Sequence, residues 1–267
     1  MNESPGTPTR AERFCVLGLG EAGARYAADL LAAGLAVTGY DPVGPAARPL
    51  PAGLRWAVNE AEAAAGADVV ISLNAASAAE QAARNALPGL RAGTVFADLN
   101  TASPRGKRQV AAVIEGSGAL FADVAVLAPV PRAGLRTPLA VAGPGRAALA
   151  GVLAPLGVPV EDAGPCPGAA AGRKLLRSVF MKGLAAVVME SLAIAAEAGQ
   201  QDWLWQQIVS EFTAADEALA TRLVEGTRQH AARRLAEMRA ADGYAAELGA
   251  ADPVVRAVIA RLEELTR

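Results

Sequence analysis

The chain has 267 residues, a formal net charge of −2 and a single histidine. That length suits one large or two modest domains with a full core, and so even a charge balance gives no basis for a nucleic-acid surface or a basic membrane patch. One His and two distant Cys leave no paired ligands for a metal, so no metal site is expected.

Residues 1–12 are polar, hold two prolines and lack an apolar centre, which reads as a disordered leader rather than a secretion signal. Phe14 to Leu17 is a short apolar β-run, and Gly18-Leu19-Gly20-Glu21-Ala22-Gly23 is a G-x-G-x-x-G turn. Ala24 to Ala33 has the Ala/Leu content of a buried helix, and a second apolar run from Ala36 to Tyr40 ends in Asp41. The spacing predicts a βαβ unit that binds a dinucleotide. Gly18 permits the tight turn, Gly20 leaves room for a pyrophosphate, and Gly23 lets the helix pack on the strands; the first-turn N–H groups, from Glu21 and Ala22 onward, face the phosphates. Asp41 suits the ribose hydroxyls and repels a 2′-phosphate. Pro42 follows it, and the nearest arginine is Arg48. NAD is therefore favoured over NADP.

Residues 42–51 are Pro/Gly-rich and read as a surface loop, Leu54 to Val58 as a short third strand, and Asn59 to Ala65 as a helix. Val69 to Leu73 is a continuous apolar run of the kind that forms a central parallel strand. Its end, Leu73 and Asn74, lies where ligands of open α/β sheets sit. Thr94 to Leu99 is the next strand and delivers Asn100 and Thr101, which are expected on the nicotinamide side of the cofactor. Ser103 reads as an N-cap with Pro104 behind it, opening a helix to about Glu115. Leu120 to Val126, Leu139 to Val141 and Val158 to Val160 are further strands, with a helix from Arg146 to Leu156 and a proline-rich loop, Leu127 to Pro138, that carries Arg132 and Arg136. Asp162 to Gly168 has the composition of a linker.

No convincing strand follows. The boundaries expected are a leader over 1–12, a dinucleotide-binding domain over 13–165 and an all-helical substrate and dimerisation domain over 166–267. A helix from Ala169 to about Ala198 reaches roughly 45 Å at 1.5 Å per residue, which suggests that it runs along the domain boundary and into a subunit contact. Lys174, Arg177, Ser178, Met181 and Lys182 share one of its faces. Cations there call for a negative partner, either an anionic substrate or carboxylates elsewhere in the chain. Burial and the nearby Arg177 should depress the Lys174 pKa, so that its amine takes up a hydroxyl proton. No apolar run reads as long and charge-free enough to span a bilayer, because this helix carries Lys and Glu. Cys15 in a strand and Cys166 in a loop predict no disulfide and a cytoplasmic setting.

The stripe Leu204, Ile208, Phe212, Leu219 and Leu223 reads as core. His230, Arg233, Arg234 and Glu237 form a polar helix face that reads first as solvated. Asp252 is the expected N-cap of a last helix ending near Leu265.

On these motifs the chain resembles the β-hydroxyacid dehydrogenase superfamily, which includes 3-hydroxyisobutyrate and 6-phosphogluconate dehydrogenases. GLGEAG matches its cofactor fingerprint. Asp98-Leu99-Asn100-Thr101-Ala102-Ser103-Pro104 is similar to its D-x-S-T-x-x-P stretch, and Gly168 to Arg177 to its G-x-G-x-x-x-K-x-x-N motif. The resemblance implies an α/β Rossmann domain followed by an all-α domain, joined by a long helix, and hydride transfer between NAD(P) and a hydroxyl or carbonyl next to an acid group. It places Lys174 at the catalytic lysine, and Thr101, Asp123, Val126, Leu127, Arg177 and Ser178 among the substrate contacts. It also gives His230 and Arg234 a second reading, as residues that complete the site, and implies a homodimer formed through the helical domain. Arg177 stands where the family has Asn, and Leu127-Ala128-Pro129 replaces its Ser-Gly-Gly, so recognition of a small anionic substrate must differ. An arginine fork suits carboxylate, phosphate or phosphonate. The combination looks most like a phosphogluconate-dehydrogenase-like branch. An imine reductase and a non-catalytic dinucleotide-binding protein are the alternatives; oxidative decarboxylation of a sugar phosphate is disfavoured by the short chain.

Overall fold

A computed structural model describes residues 13–47 and 49–267; the leader expected over 1–12 and Arg48 lie outside the described residues. The first half of the chain alternates strands and helices: β1 (Arg13–Leu17), α1 (Glu21–Ala32), β2 (Ala36–Tyr40), β3 (Arg55–Trp56), α2 (Glu60–Ala64), β4 (Val69–Ser72), α3 (Ala79–Ala86), β5 (Val95–Asp98), α4 (Pro104–Ile114), β6 (Leu120–Val126), α5 (Val130–Ala133), β7 (Leu139–Ala142), α6 (Arg146–Leu153) and β8 (Val160–Asp162). The eight strands form one sheet in the order β3-β2-β1-β4-β5-β6-β7-β8. All neighbours run parallel except β6 and β7. The reversal of strand order between β1 and β4 opens a crevice at their C-terminal ends, the usual ligand position in a doubly wound sheet.

Side-chain alternation builds a core on each face of the sheet. Phe14 and Val16 of β1, with Val69 and Ile71 of β4, pack under Tyr26, Ala27 and Leu30 of α1 and Leu149 and Leu153 of α6. Cys15, Leu17, Val70 and Phe96 point the other way, onto Ala63 of α2, Ala83 and Ala86 of α3, and Val110 and Ile114 of α4. Small alanine faces let α2 and α3 lie close to the strands. Burial raises the Cys15 and Tyr26 pKa values, and both cysteines are free.

The differences from expectation are local. The third strand shrinks to two residues because the α2 cap begins at once: Asn59 Oδ1 accepts from Glu62 N at 2.8 Å, and Glu62 Oε2 accepts from Val58 N at 2.9 Å. This reciprocal pair is close to a capping box. The helix α3 was not anticipated. β8 lies two residues later than expected, and the proline-rich loop 127–138 contains α5 and a 3-10 turn over Gly134–Arg136.

The chain divides into two compact units inside α7 (Ala169–Glu197), the first ending at Arg177 and the second running from Ser178 to Arg267. The second unit is all-helical and adds α8 (Gln201–Thr213), α9 (Glu217–Gln229), α10 (Ala231–Glu247) and α11 (Pro253–Leu265). Ala195 of α7, Ala231, Leu235 and Ala245 of α10 and Leu262 of α11 are its buried apolar residues among those described. Glu190, two turns before the end of α7, caps α11: its two carboxylate oxygens accept from Val254 N and Val255 N, each at 2.8 Å. Asp252 occupies the N-cap position without bonding the first-turn amides and pairs instead with Arg256 at 3.0 Å.

Three expectations for the helical part are corrected. The stripe expected as core is split between α8 and α9 by residues 214–216, and Phe212 and Leu223 are 51% and 57% exposed. By length and mean hydropathy, 1.8 over its most apolar stretch, α7 is long and apolar enough to cross a bilayer. That stretch holds at most two charged residues, too few to remove it from that class, and the capping contact of Glu190 gives α7 a place in a helical bundle. His230 is not inside a helix: it is the hinge residue at which α9 ends and α10 begins.

Candidate active site

At the end of β1 the chain turns at Gly18, whose φ of 91° lies in the left-handed region and whose N–H donates to Tyr40 O at 2.8 Å. A Cβ on Gly18 would stand 2.3 Å from Leu73 O, and one on Gly23 would stand 1.9 Å from Gly18 O. Gly20 at the N-cap of α1 has no side chain to cap the first-turn N–H groups, and among the described residues no side-chain hydrogen bond reaches them. A glycine-lined turn with open amides at a helix N-terminus is the cradle a pyrophosphate requires. Asp41, at the end of β2, faces that turn: its Oδ2 accepts from Leu19 N at 2.8 Å and its Oδ1 from Val43 N at 3.0 Å. These bonds fix the carboxylate while leaving lone pairs for a hydroxyl donor.

The neighbouring strand ends are tied together through Ser72, which is fully buried. Its Oγ accepts from Asn74 Nδ2 at 2.9 Å and from Asn100 Nδ2 at 3.1 Å. Asn74 Oδ1 is also the atom that a Cβ on Gly18 would approach to 3.0 Å. Asn100 is 3% exposed, and its Oδ1 has no hydrogen-bond partner among the described residues. An orphaned buried acceptor at a strand end suits a donor such as a carboxamide N–H. Thr101 follows, and its Oγ1 accepts from Lys174 Nζ at 3.1 Å. Gly18, Leu73, Asn74, Asn100, Thr101 and Lys174 are thus linked across one rim of the first unit, and Lys174 is half-buried there.

Beneath this rim lies a charged cluster that the sequence reading missed. Lys107 of α4 is 1% exposed, and Asp98 and Asp123 are fully buried at paired positions of β5 and β6. Lys107 Nζ lies 3.2 Å from Asp98 Oδ2 and 3.5 Å from Asp123 Oδ1, and it also donates to Asp98 O. Asp98 Oδ1 accepts from Asn100 N at 3.0 Å and Asn100 Nδ2 at 2.6 Å. Burial pushes the Asp98 carboxyl above the usual range, and the Lys107 charge and the Asn100 bonds pull it back only in part. The signal was available: Lys107, Val110 and Ile114 share the buried face of α4, a lysine on an otherwise apolar stripe.

Asp123 is corrected as a substrate contact. It has no exposure, and its Oδ2 accepts from Gly168 N at 2.9 Å and Ala171 N at 3.2 Å, capping the start of α7. Val126 is partly buried against the core on one face of the sheet, and Leu127 against the small alanine cluster that includes Ala125, Ala140 and Ala170. Arg177 is exposed, one turn beyond Lys174. Ser178, His230 and Arg234 belong to the second unit. There Arg234 Nη1 donates to Thr227 Oγ1, His230 is exposed, and Arg233 pairs with Glu237 at 2.6 Å. Among the described residues no group of His, Cys, Asp and Glu is arranged to hold a metal ion.

Comparison with known proteins agrees with this geometry. The family described as the NAD binding domain of 6-phosphogluconate dehydrogenase matches residues 13–149, and a domain of unknown function matches residues 195–265. A probable 3-hydroxyisobutyrate dehydrogenase of Mycobacterium tuberculosis is 37% identical over 123 residues, 45% of this chain and 42% of that protein, so the match spans less than half of the relative's length. A conserved hypothetical protein of Sinorhizobium meliloti 1021 has a solved structure that is 30% identical, with a TM-score of 0.64 over 96% of this chain and 88% of that one. An imine reductase from Myxococcus stipitatus in complex with NADP+ shares the fold at a TM-score of 0.81 and 18% identity, over 95% and 94% of the two chains. With its glycine cradle, its strand-end asparagines and a family match over half its length, the chain belongs to the β-hydroxyacid dehydrogenase superfamily and carries an NAD(P)-binding domain of the 6-phosphogluconate dehydrogenase type.

Proposed function

We propose that the protein is an NAD(P)-dependent oxidoreductase that interconverts a small hydroxy acid and its oxo acid, with Lys174 as general acid and base. The observation that carries this reading is the 3.1 Å bond from Lys174 Nζ to Thr101 Oγ1. It holds an amine at the same rim as the glycine cradle and Asn100. The bound cofactor supplies or receives the hydride. In oxidation the neutral Lys174 amine takes the hydroxyl proton as the C–H bond breaks; in reduction the Lys174 ammonium returns a proton to the carbonyl oxygen. Thr101 accepts a hydrogen bond from Lys174 and so aims one of its remaining sites at the substrate.

Arg177 takes the acid group in this scheme. Its guanidinium makes no hydrogen bond or ion pair among the described residues and offers a two-pronged donor to a carboxylate, phosphate or phosphonate. The loop Val126-Leu127-Ala128-Pro129, with no hydroxyl, puts that task on the arginine. The same apolar loop favours a second reading, reduction of an imine or of a ketone without an acid group. NAD is the preferred cofactor in our reading because Asp41 is already oriented by Leu19 N and Val43 N and stands where a 2′-phosphate would be repelled. We further propose a homodimer through the helical unit. Val179, Phe180 and Met189 of α7 are 75%, 65% and 72% exposed, an apolar surface that a second copy would cover.

Four outcomes are expected. On a panel of 2- and 3-oxo acids, with and without phosphate or phosphonate groups, at least one acid should drive NADH oxidation. Lys174→Ala should then lower kcat by about 10²–10⁴-fold with NADH affinity unchanged in a fluorescence titration. Unchanged turnover removes Lys174 from the mechanism, activity confined to imines selects the second reading, and no turnover with any compound leaves a binding protein. Asp41→Ala should cut the NADH/NADPH ratio of kcat/KM by about tenfold, the loss of roughly one charge-assisted hydrogen bond; an unaltered ratio contradicts the assignment. Sedimentation equilibrium should give twice the chain mass, and a monomer at micromolar concentration would refute the dimer.

A further inference from the structure

Lys107 reaches from α4 to the ends of β5 and β6, where its ammonium lies 3.2 Å from Asp98 and 3.5 Å from Asp123. Each carboxylate has a second attachment. Asp98 Oδ1 accepts from Asn100 N and so shapes the turn that leads into Thr101. Asp123 Oδ2 accepts from Gly168 N and Ala171 N and so fixes the first turn of α7, three residues before Lys174. Thr101 and Lys174 are in turn the two ends of one hydrogen bond. The ring closes through a single ammonium. Lys107, Asn100, Thr101 and Lys174 also line one small recess, so the buried cation forms part of the wall on which the Lys174 amine rests.

The two carboxylates are register partners on adjacent strands. Without a cation between them they repel, and a low-dielectric interior magnifies that repulsion. Relief is available only by protonating one acid or by letting the strand ends and the α7 terminus move apart. We propose that Lys107 is a positioning residue for Lys174: it clamps Asp98 to Asp123, and thereby sets the Thr101 hydroxyl against the Lys174 amine. This role rests on Lys174 acting as the proton donor and acceptor. It is distinct from the chemistry itself, because Lys107 is buried and its ammonium is already spent on Asp98 and Asp123.

Lys107→Met alone leaves two facing carboxylates and is expected to destabilise the unit as a whole. The deciding variant is Lys107→Met with Asp98→Asn, which removes one charge of each sign and so restores the balance without the clamp. It should melt above Lys107→Met and stay folded at the assay temperature, and keep NADH affinity and KM within about twofold, while kcat on the best panel substrate falls by about tenfold or more, the cost of a misplaced catalytic group. Hydrogen–deuterium exchange of the amides of residues 168–171 should quicken while that of β4 stays unchanged. Wild-type kcat in the charge-balanced variant, or unchanged exchange at 168–171, overturns the clamp and reduces Lys107 to a counter-ion. If the wild-type protein turns over no compound, the hydroxy-acid reading fails by itself, and the exchange at 168–171 still decides whether Lys107 holds the start of α7.

Discussion

The first unit depends on how three charges are accommodated where water does not reach. Asp98, Asp123 and Lys107 have at most 1% exposure, and removing one partner from such a group typically costs about 3–5 kcal/mol. The arrangement is tolerable because one oxygen of each carboxylate is hydrogen-bonded and the other, without a hydrogen bond among the described residues, faces the ammonium. One carboxylate receives the Asn100 amide, the other the opening amides of α7, and the ammonium also reaches a main-chain carbonyl. A strand pair, a turn and a helix start therefore share one electrostatic solution. The site rests on that solution: Thr101 leaves the turn and Lys174 rises from the helix.

The crevice itself follows from topology. Reversal of strand order between β1 and β4 separates α1 from the helices on the opposite face, and the space between fills from the strand ends. Close approach is then enforced by what is missing. Gly18 and Gly23 have no room for a Cβ, and Gly20 contributes no side chain to the helix cap. A dinucleotide backbone meets main chain rather than side chains along this edge. At one end of this edge stands the Asp41 carboxylate, held by Leu19 N and Val43 N, and at the other the Asn100 Oδ1, unpartnered among the described residues.

Much of this was legible from the residues alone. The βαβ opening, the run Val69–Leu73, the Ser103-Pro104 helix start and the long α7 all announce themselves, because each carries a local signal: a glycine turn, a continuous apolar run, a helix cap, or a long uninterrupted run of helix-forming residues. Gly18, Asn74, Asn100, Thr101 and Lys174, all singled out from the sequence, meet at one rim of the first unit through Ser72, the Lys174–Thr101 bond and the close approach of Gly18 to Leu73 and Asn74. Asp123 was misread because an acid at a strand end looks the same whether it meets a substrate or a helix N-terminus; only its bonds to Gly168 N and Ala171 N tell them apart. Lys107 was passed over because a lysine is ordinarily solvated, and its burial depends on two acids distant in sequence. The apolar residues of α8 and α9 followed helical spacing but proved exposed, since periodicity reports that a face is apolar and not what covers it.

The central claim is that the Lys174 amine stands beside the reacting carbon of a substrate held against the nicotinamide. A crystal structure with NADH and oxamate, a non-reducible isostere of a 2-oxo acid, tests it most directly. The oxamate carbonyl oxygen should lie within about 3.2 Å of Lys174 Nζ, with its carboxylate on Arg177 and the nicotinamide carboxamide on Asn100. A Lys174 amine turned away from the ligand, or a nicotinamide ring seated elsewhere than beside Asn100 and Thr101, would contradict it.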